Sequence, residues 1–230
     1  MSQKNLQEAS TEKKRSPSQS EHKIRPCLDL TRTVAKNLTL YRTCPWDAIP
    51  GLSAYISEHG IDLPYDQYDE VSENVWVHIS AYLSPTAKIE APAIICGGAK
   101  ICHFSYVKGS VIGSFATVGE FTAVKNSILF DRSTLYGHNE VLSSIVGYES
   151  VIGQGTILTN TRLDGMNVTV DMPEGTYITG KAHIGSVICD NVKIGANCVI
   201  NPGTVIDTGS KLYPLTHARG YLYPYTVKSE

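Results

Sequence analysis

From residue 75 onward, aliphatic side chains recur along the chain in steps of six residues. The first set runs through Val77, Leu83, Ile89, Ile95, Ile101 and Val107. Four positions after most of these stands a small residue: Ala81, Ala87, Ala93, Ala99, Ser105. Every third step then shortens to five, so that the pattern repeats every 17 residues as far as Leu158. The six-residue step returns between Ala182 and Ala218.

This fixed short period is typical of a repeat architecture, because neither a helix nor an alternating strand produces it. Six residues per side and three sides per coil predict a triangular prism whose aliphatic row points inward. Coils about 4.8 Å apart would give a prism about 30–35 Å long. The predicted fold is all-β, a parallel β-helix over residues 75–225. Residues 161–181 break the pattern and are expected to form an excursion or hairpin on the prism surface.

The chain before the repeats divides into two parts. Residues 1–25 are polar and charged, which predicts a disordered tail. Residues 26–74 are predicted as a small helical cap that stops at Gly60, because apolar side chains recur near helical spacing: Trp46, Ile49, Leu52, Ile56.

Composition narrows the possible functions. The 230 residues carry 20 Lys and Arg against 22 Asp and Glu, a balance that argues against a nucleic-acid or anionic-membrane binder. No apolar run approaches the ~20 residues of a spanning helix, and no secretory signal is recognised. We therefore expect a cytoplasmic protein whose six cysteines, none in a C-x-x-C pair, are reduced thiols: Cys27, Cys44, Cys96, Cys102, Cys189, Cys198.

The hexads resemble the [LIV]-[GAED]-x-x-[STAV]-x repeat of left-handed parallel β-helix acyltransferases. Three segments are similar to the acetyltransferase domain of sugar-1-phosphate nucleotidylyltransferases such as bifunctional N-acetylglucosamine-1-phosphate uridyltransferase: VKGSVIGSFATVGEFTAVKNSIL, SIVGYESVIGQGTILTNTRLDG, KIGANCVINPGTVI. The resemblance implies N-acetyltransfer from acetyl-CoA to a glucosamine-1-phosphate-like amino-sugar phosphate, as in UDP-N-acetylglucosamine biosynthesis. It also implies a homotrimer with sites between adjacent prisms. A G-x-G-T-R-M type loop is absent from the sequence, so nucleotidyl transfer is not expected.

The same resemblance points to residues that would hold the acceptor. Lys125 matches a substrate-binding lysine, and Lys108 stands where a basic residue binds phosphate. The two lysines are 17 residues apart, so they should stack on neighbouring coils, where two cations suit a sugar phosphate. Two solvated surface lysines are the alternative. Asn139 and Asn160 match substrate-contacting asparagines, although Asn160 also suits a turn.

The segment YGHNEVLSS departs from the family pattern P-H-x-N-Y-x-G-D-S around the catalytic histidine. Alignment on Asn139 without a gap places Gly137 at the histidine position and His138 one residue later. A one-residue shift on a strand turns a side chain to the other face, so His138 would need a bulge to act as the base.

The 17-residue repeat offers a second candidate base. It places His103, Glu120, Gly137 and Gln154 in one column, with neighbours about 4.8 Å apart. His103 beside Glu120 would be an oriented imidazole, and an exposed surface pair is the alternative.

No metal is expected at these histidines. The γ-class carbonic anhydrases of this fold bind zinc with three histidines, two of them five residues apart, but here Ser143 stands five residues after His138. The resemblance places the pantetheine contacts of acetyl-CoA in the late coils, at Ala182, Gly185, Ser186 and Asn201. A catalytically silent homologue that binds a sugar phosphate or nucleotide, or serves as a trimeric scaffold, is the alternative function.

Overall fold

A computed structural model describes residues 27–40 and 44–229 of the chain. The predicted tail at residues 1–25 lies outside the described residues. The rest is a β-solenoid of about 9 turns with a small helical region before it. The predicted parallel β-helix with an N-terminal helical cap is therefore confirmed.

Three parallel ladders of short strands form the faces of the prism. Face 1 contains the first part of β4 and β6, followed by five further strands: β4 Lys88–Ile95, β6 Tyr106–Ile112, β8 Ala123–Lys125, β11 Glu140–Leu142, β14 Ile157–Leu158, β19 Val199–Ile200, β22 His217–Ala218. Face 2 contains the second part of β4 and β6 together with six more: β2 Val75–His78, β9 Ile128–Leu129, β12 Ile145–Val146, β17 Val187–Ile188, β20 Val205–Ile206, β23 Tyr221–Leu222.

Face 3 is an eight-stranded ladder: β3 Tyr82–Leu83, β5 Lys100–Ile101, β7 Thr117–Val118, β10 Thr134–Leu135, β13 Val151–Ile152, β18 Lys193–Ile194, β21 Lys211–Leu212, β24 Val227–Lys228. One coil therefore supplies one strand to each face. The aliphatic row predicted from the hexads fills the inside of the prism. Ile101, Val107 and Ile112 mark one coil of this core, and each is fully buried.

The cap covers face 2. Its helices are α1 Lys36–Leu40 and α2 Leu52–His59, with 3-10 helices at Leu30–Arg32, Pro45–Gly51 and Gly60–Asp62. Outward side chains of face 2 are apolar and buried beneath it, including Val111, Ile128 and Phe130. This face therefore has a second hydrophobic core on its outer side. Strand β1 Tyr68–Ser72, which pairs antiparallel with β2, was not predicted.

The predicted excursion is a hairpin of β15 Thr169–Met172 and β16 Gly175–Ile178. It packs beside the cap, where the rings of Trp46 and Tyr177 meet edge to face with centroids 5.7 Å apart. Val170 is buried in the same cluster. The hairpin therefore extends the cover of face 2.

The expectation that all six cysteines are reduced is wrong for one pair. Cys27 and Cys189 form a disulfide that joins the start of the cap to face 2, with a Cα–Cα distance of 5.3 Å. The pairing was hidden because 162 residues separate the two positions. The other four cysteines are free thiols. Among the described residues, no helix has both the length and the apolarity needed to cross a membrane.

Candidate active site

Face 1 brings the two predicted lysines together. Lys108 on β6 pairs in register with Lys125 on β8, and Glu90 on β4 pairs with Lys108 from the other side. The Lys108 ammonium lies 3.0 Å from a Glu90 carboxylate oxygen, which also accepts a hydrogen bond from the Tyr106 hydroxyl at 2.7 Å. Lys125 lies 3.9 Å from Glu140. The lysines are therefore partnered by carboxylates that the sequence analysis did not single out.

These groups form a patch of mixed charge, which we call the lysine–carboxylate patch: Lys88, Glu90, Tyr106, Lys108, Lys125, Glu140. Hydrogen bonds from Lys88, then Tyr106 and Lys108, lower the pKa of Glu90 to about 2. The same carboxylate raises the pKa of Lys108. All the charges are consequently present at neutral pH, with three cations against two anions. A phosphate that reaches Lys108 would have to compete with Glu90.

The predicted column lies at the edge between face 3 and face 1. Backbone hydrogen bonds link successive coils along it: Phe121 donates to the His103 carbonyl at 3.1 Å, and His138 donates to the Glu120 carbonyl at 2.8 Å. Gly155 donates to the Gly137 carbonyl at 3.1 Å, which carries the column one coil further. The stacking derived from the 17-residue repeat is therefore confirmed.

His103 has different partners from the one expected. Its Nδ1 lies 2.8 Å from the Ser84 hydroxyl and 3.0 Å from the Thr86 hydroxyl. Among the described residues it has no hydrogen bond or ion pair to Glu120. Ser84 is buried whereas His103 is exposed, so an internal hydroxyl fixes the ring while its outer edge faces solvent. Thr86 precedes His103 by 17 residues, and the repeat period could have indicated this contact.

His138 is exposed, and no β-bulge re-aims it. Its φ of 62° places it in a left-handed corner turn, and its ring stacks on Phe121 with centroids 4.9 Å apart. Phe121 stacks in turn on Phe104 at 5.0 Å. No described group holds either ring nitrogen of His138 by a hydrogen bond. Its imidazole is therefore positioned by stacking alone.

Gly137 is closely confined by the coil below. A Cβ atom at this position would lie 3.1 Å from the Glu120 carbonyl oxygen and 3.8 Å from its carboxylate. A histidine here would crowd that carbonyl. The substitution that separates this chain from the family pattern therefore fits the local backbone.

Asn139 does not face a ligand, which corrects its prediction as a substrate contact. The residue is 2% exposed, its Nδ2 donates to the Tyr136 carbonyl at 2.8 Å, and its Oδ1 accepts from the Thr156 amide at 2.7 Å. It therefore supports a corner of the prism. Asn160 lies at the edge between faces 1 and 2, where its Nδ2 donates to the Ser143 hydroxyl at 2.9 Å.

The predicted pantetheine contacts are not one surface. Ser186 is 1% exposed, and its hydroxyl donates to the Asn201 carbonyl at 3.1 Å. Gly185 is buried and donates to the Ser143 carbonyl at 2.8 Å. These two residues therefore serve the corner, which corrects their prediction as cofactor contacts. Ala182 is half-buried, and the Asn201 side chain lies 3.0 Å from His217.

No family model matches the chain. The uncharacterized acetyltransferase YaiX of Escherichia coli is 28% identical over 106 residues, which are 46% of this chain and 46% of that protein. The bifunctional protein GlmU of Methanococcus vannielii is 32% identical over 93 residues, 40% of this chain and 22% of that protein. The chain thus matches about half the length of the first relative and less of the second.

Among solved structures, the acetyltransferase domain of PglB from Neisseria gonorrhoeae in complex with acetyl coenzyme A is 17% identical. The match covers 61% of this chain and 54% of that domain, with a TM-score of 0.29. The chain is accordingly a parallel β-helix of hexapeptide repeats that is similar in sequence to proteins named acetyltransferases and to the bifunctional protein GlmU.

Proposed function

We propose that this chain transfers an acetyl group from acetyl-CoA to the amino group of an amino-sugar phosphate. The observation that carries the proposal is the pairing, on one face, of an oriented histidine with a patch of mixed charge. His103 stands at one edge of face 1, and Lys108 and Lys125 stand towards the other. The named acetyltransferases among its sequence relatives support the same chemistry.

His103 is the proposed general base. The acceptor amine attacks the thioester carbonyl, and His103 takes the proton that the nitrogen loses. Collapse of the tetrahedral intermediate breaks the carbon–sulfur bond, which gives the N-acetyl sugar and the CoA thiol. A histidine suits this task because its ordinary pKa lies near working pH. Ser84 and Thr86 hold one ring nitrogen, so the other can meet the acceptor.

The lysine–carboxylate patch suits an acceptor that carries charges of both signs. An amino-sugar phosphate presents a phosphate for Lys108 and Lys125 and an ammonium for the carboxylates before it loses its proton. A purely anionic ligand would gain less, because Glu90 and Glu140 would repel it. The patch therefore favours an amino sugar over a neutral sugar phosphate.

The homotrimer and the cytoplasmic location stay predictions. Face 2 is covered by the chain's own cap and hairpin. A partner subunit would therefore contact face 1, face 3 or the edge between them, which is where His103 lies. A site completed by a neighbouring prism is compatible with this arrangement.

A thiol-release assay with acetyl-CoA tests the proposal. We expect the chain to release CoA faster with glucosamine 1-phosphate than with glucosamine, which lacks the phosphate. If thiol release stays at the rate of acetyl-CoA alone while calorimetry detects glucosamine 1-phosphate binding, the chain is a silent binder. The glycine at position 137 favours that alternative.

We expect Lys125→Ala to weaken glucosamine 1-phosphate binding by about 1–3 kcal/mol, because it removes a charge-assisted contact. Lys193→Ala is the matched control, since Lys193 pairs in register with Lys211 on face 3 just as Lys108 pairs with Lys125 on face 1. Isothermal calorimetry measures both variants. An equal loss in the control would mean that general positive charge, rather than the patch, attracts the phosphate.

A further inference from the structure

Three potential metal ligands meet beneath the cap, on a different face from the proposed active site. Ligand atoms of Cys27, Cys189 and Asp207 all lie within 4.8 Å of one another, and the three residues are buried. Two ligands that share a zinc ion at about 2.3 Å are at most about 4.6 Å apart, so this spacing suits a common ion. While the disulfide is intact, its sulfur atoms are bonded to each other and offer no thiolate to a metal.

We propose that reduction of the Cys27–Cys189 disulfide converts this cluster into a zinc site with two thiolate ligands and the Asp207 carboxylate. The reduction takes two electrons and two protons from thiol reductants, which become a disulfide. Zinc then binds as the two cysteine thiols lose their protons. Water from the adjoining cavity supplies the fourth ligand.

The backbone holds the ligands in place without the sulfur–sulfur bond. The Cys27 carbonyl accepts hydrogen bonds from the Asp190 amide at 3.1 Å and from the Thr208 hydroxyl at 3.2 Å. Cys189 and Asp207 follow the paired strands β17 and β20, so they stand on neighbouring coils of face 2. Reduction therefore frees the thiols while these anchors keep them close together.

The carboxylate is also oriented as metal ligands usually are. The Thr208 amide donates to Asp207 Oδ1 at 2.6 Å, and the Tyr221 hydroxyl donates to Oδ2. Such outer hydrogen bonds fix the direction in which a ligand points. Beside them lies a cavity of about 230 Å³, lined by Cys27, Glu174, Asp207 and Tyr221, which has room for water.

Cobalt binding by the full chain tests the site directly. The protein is reduced with dithiothreitol, freed of it without oxygen, and titrated with Co²⁺ and then with Zn²⁺. We expect one Co²⁺ per chain with a thiolate-to-cobalt charge-transfer band that Zn²⁺ abolishes by displacement. Failure of the reduced chain to bind either metal, or unfolding on reduction as seen by circular dichroism, would overturn the proposal.

Variants identify the ligands. Cys189→Ser should lose the charge-transfer band or most of its intensity, whereas Cys102→Ser on face 3 should bind as the unaltered chain does. Asp207→Asn should keep the band but weaken zinc binding by about tenfold or more. Should Cys189→Ser not fold, the Asp207→Asn titration decides. Unchanged affinity in Asp207→Asn, or binding that requires Cys102, would contradict this ligand set.

Discussion

His103→Ala is expected to lower kcat for acetyl transfer by about 10²–10⁴-fold, the usual contribution of a positioned general base. The physical reason is orientation, because two hydroxyls hold Nδ1 of His103 whereas only ring stacking positions His138. KM should change little, since the lysines that would hold the phosphate are untouched. Steady-state thiol release at several acceptor concentrations separates the two constants.

His138→Ala is the matched control for that experiment. It removes a histidine from the same edge of the prism and leaves Ser84, Thr86 and His103 in place. A large loss in His138→Ala with an active His103→Ala would reverse the assignment and make the stacked imidazole the base. Comparable activity in both variants would exclude both histidines as the base.

Ser84→Ala tests whether orientation matters. Loss of the buried hydroxyl leaves Thr86 as the single partner of Nδ1. If Ser84 positions the base, kcat falls and the acidic limb of the pH–rate profile moves, because the environment of the imidazole changes. A merely structural role would lower stability and leave the pH profile of the remaining activity in place.

The prism could be predicted because its physics is local and periodic. Each inward aliphatic residue meets its equivalent on the next coil, so the 17-residue step alone fixes Val107 above Ile89 and below Val124. The same arithmetic correctly placed Lys108 beside Lys125 and His103 beneath Glu120. Stacking order along the prism therefore follows from the sequence.

The direction and partners of each side chain did not follow from the period. Asn139 and Ser186 look like site residues by motif, but both are buried in corners where backbone groups need hydrogen bonds. His103 turned to Ser84 rather than to Glu120, because the contact spans two coils through a corner. The Cys27–Cys189 bond arises from packing of the cap, which no repeat encodes.

The cap creates the second large effect that we expect. Phe130 is fully buried on the outer side of face 2, within the cluster that the cap and hairpin close. Phe130→Ala should destabilise the chain by about 3–5 kcal/mol, because it removes a buried ring and leaves a cavity. Chemical denaturation followed by circular dichroism measures the loss.

Phe121→Ala is the matched control, since this phenylalanine is 53% exposed on the edge that carries His138. Its loss removes one stacking contact on each side and should cost about 1 kcal/mol. A prism that depended only on its interior would treat the two variants alike, since neither ring lies inside it. A markedly larger loss for Phe130→Ala would instead mean that face 2 is stabilised from both sides, with the cap as part of the folded unit.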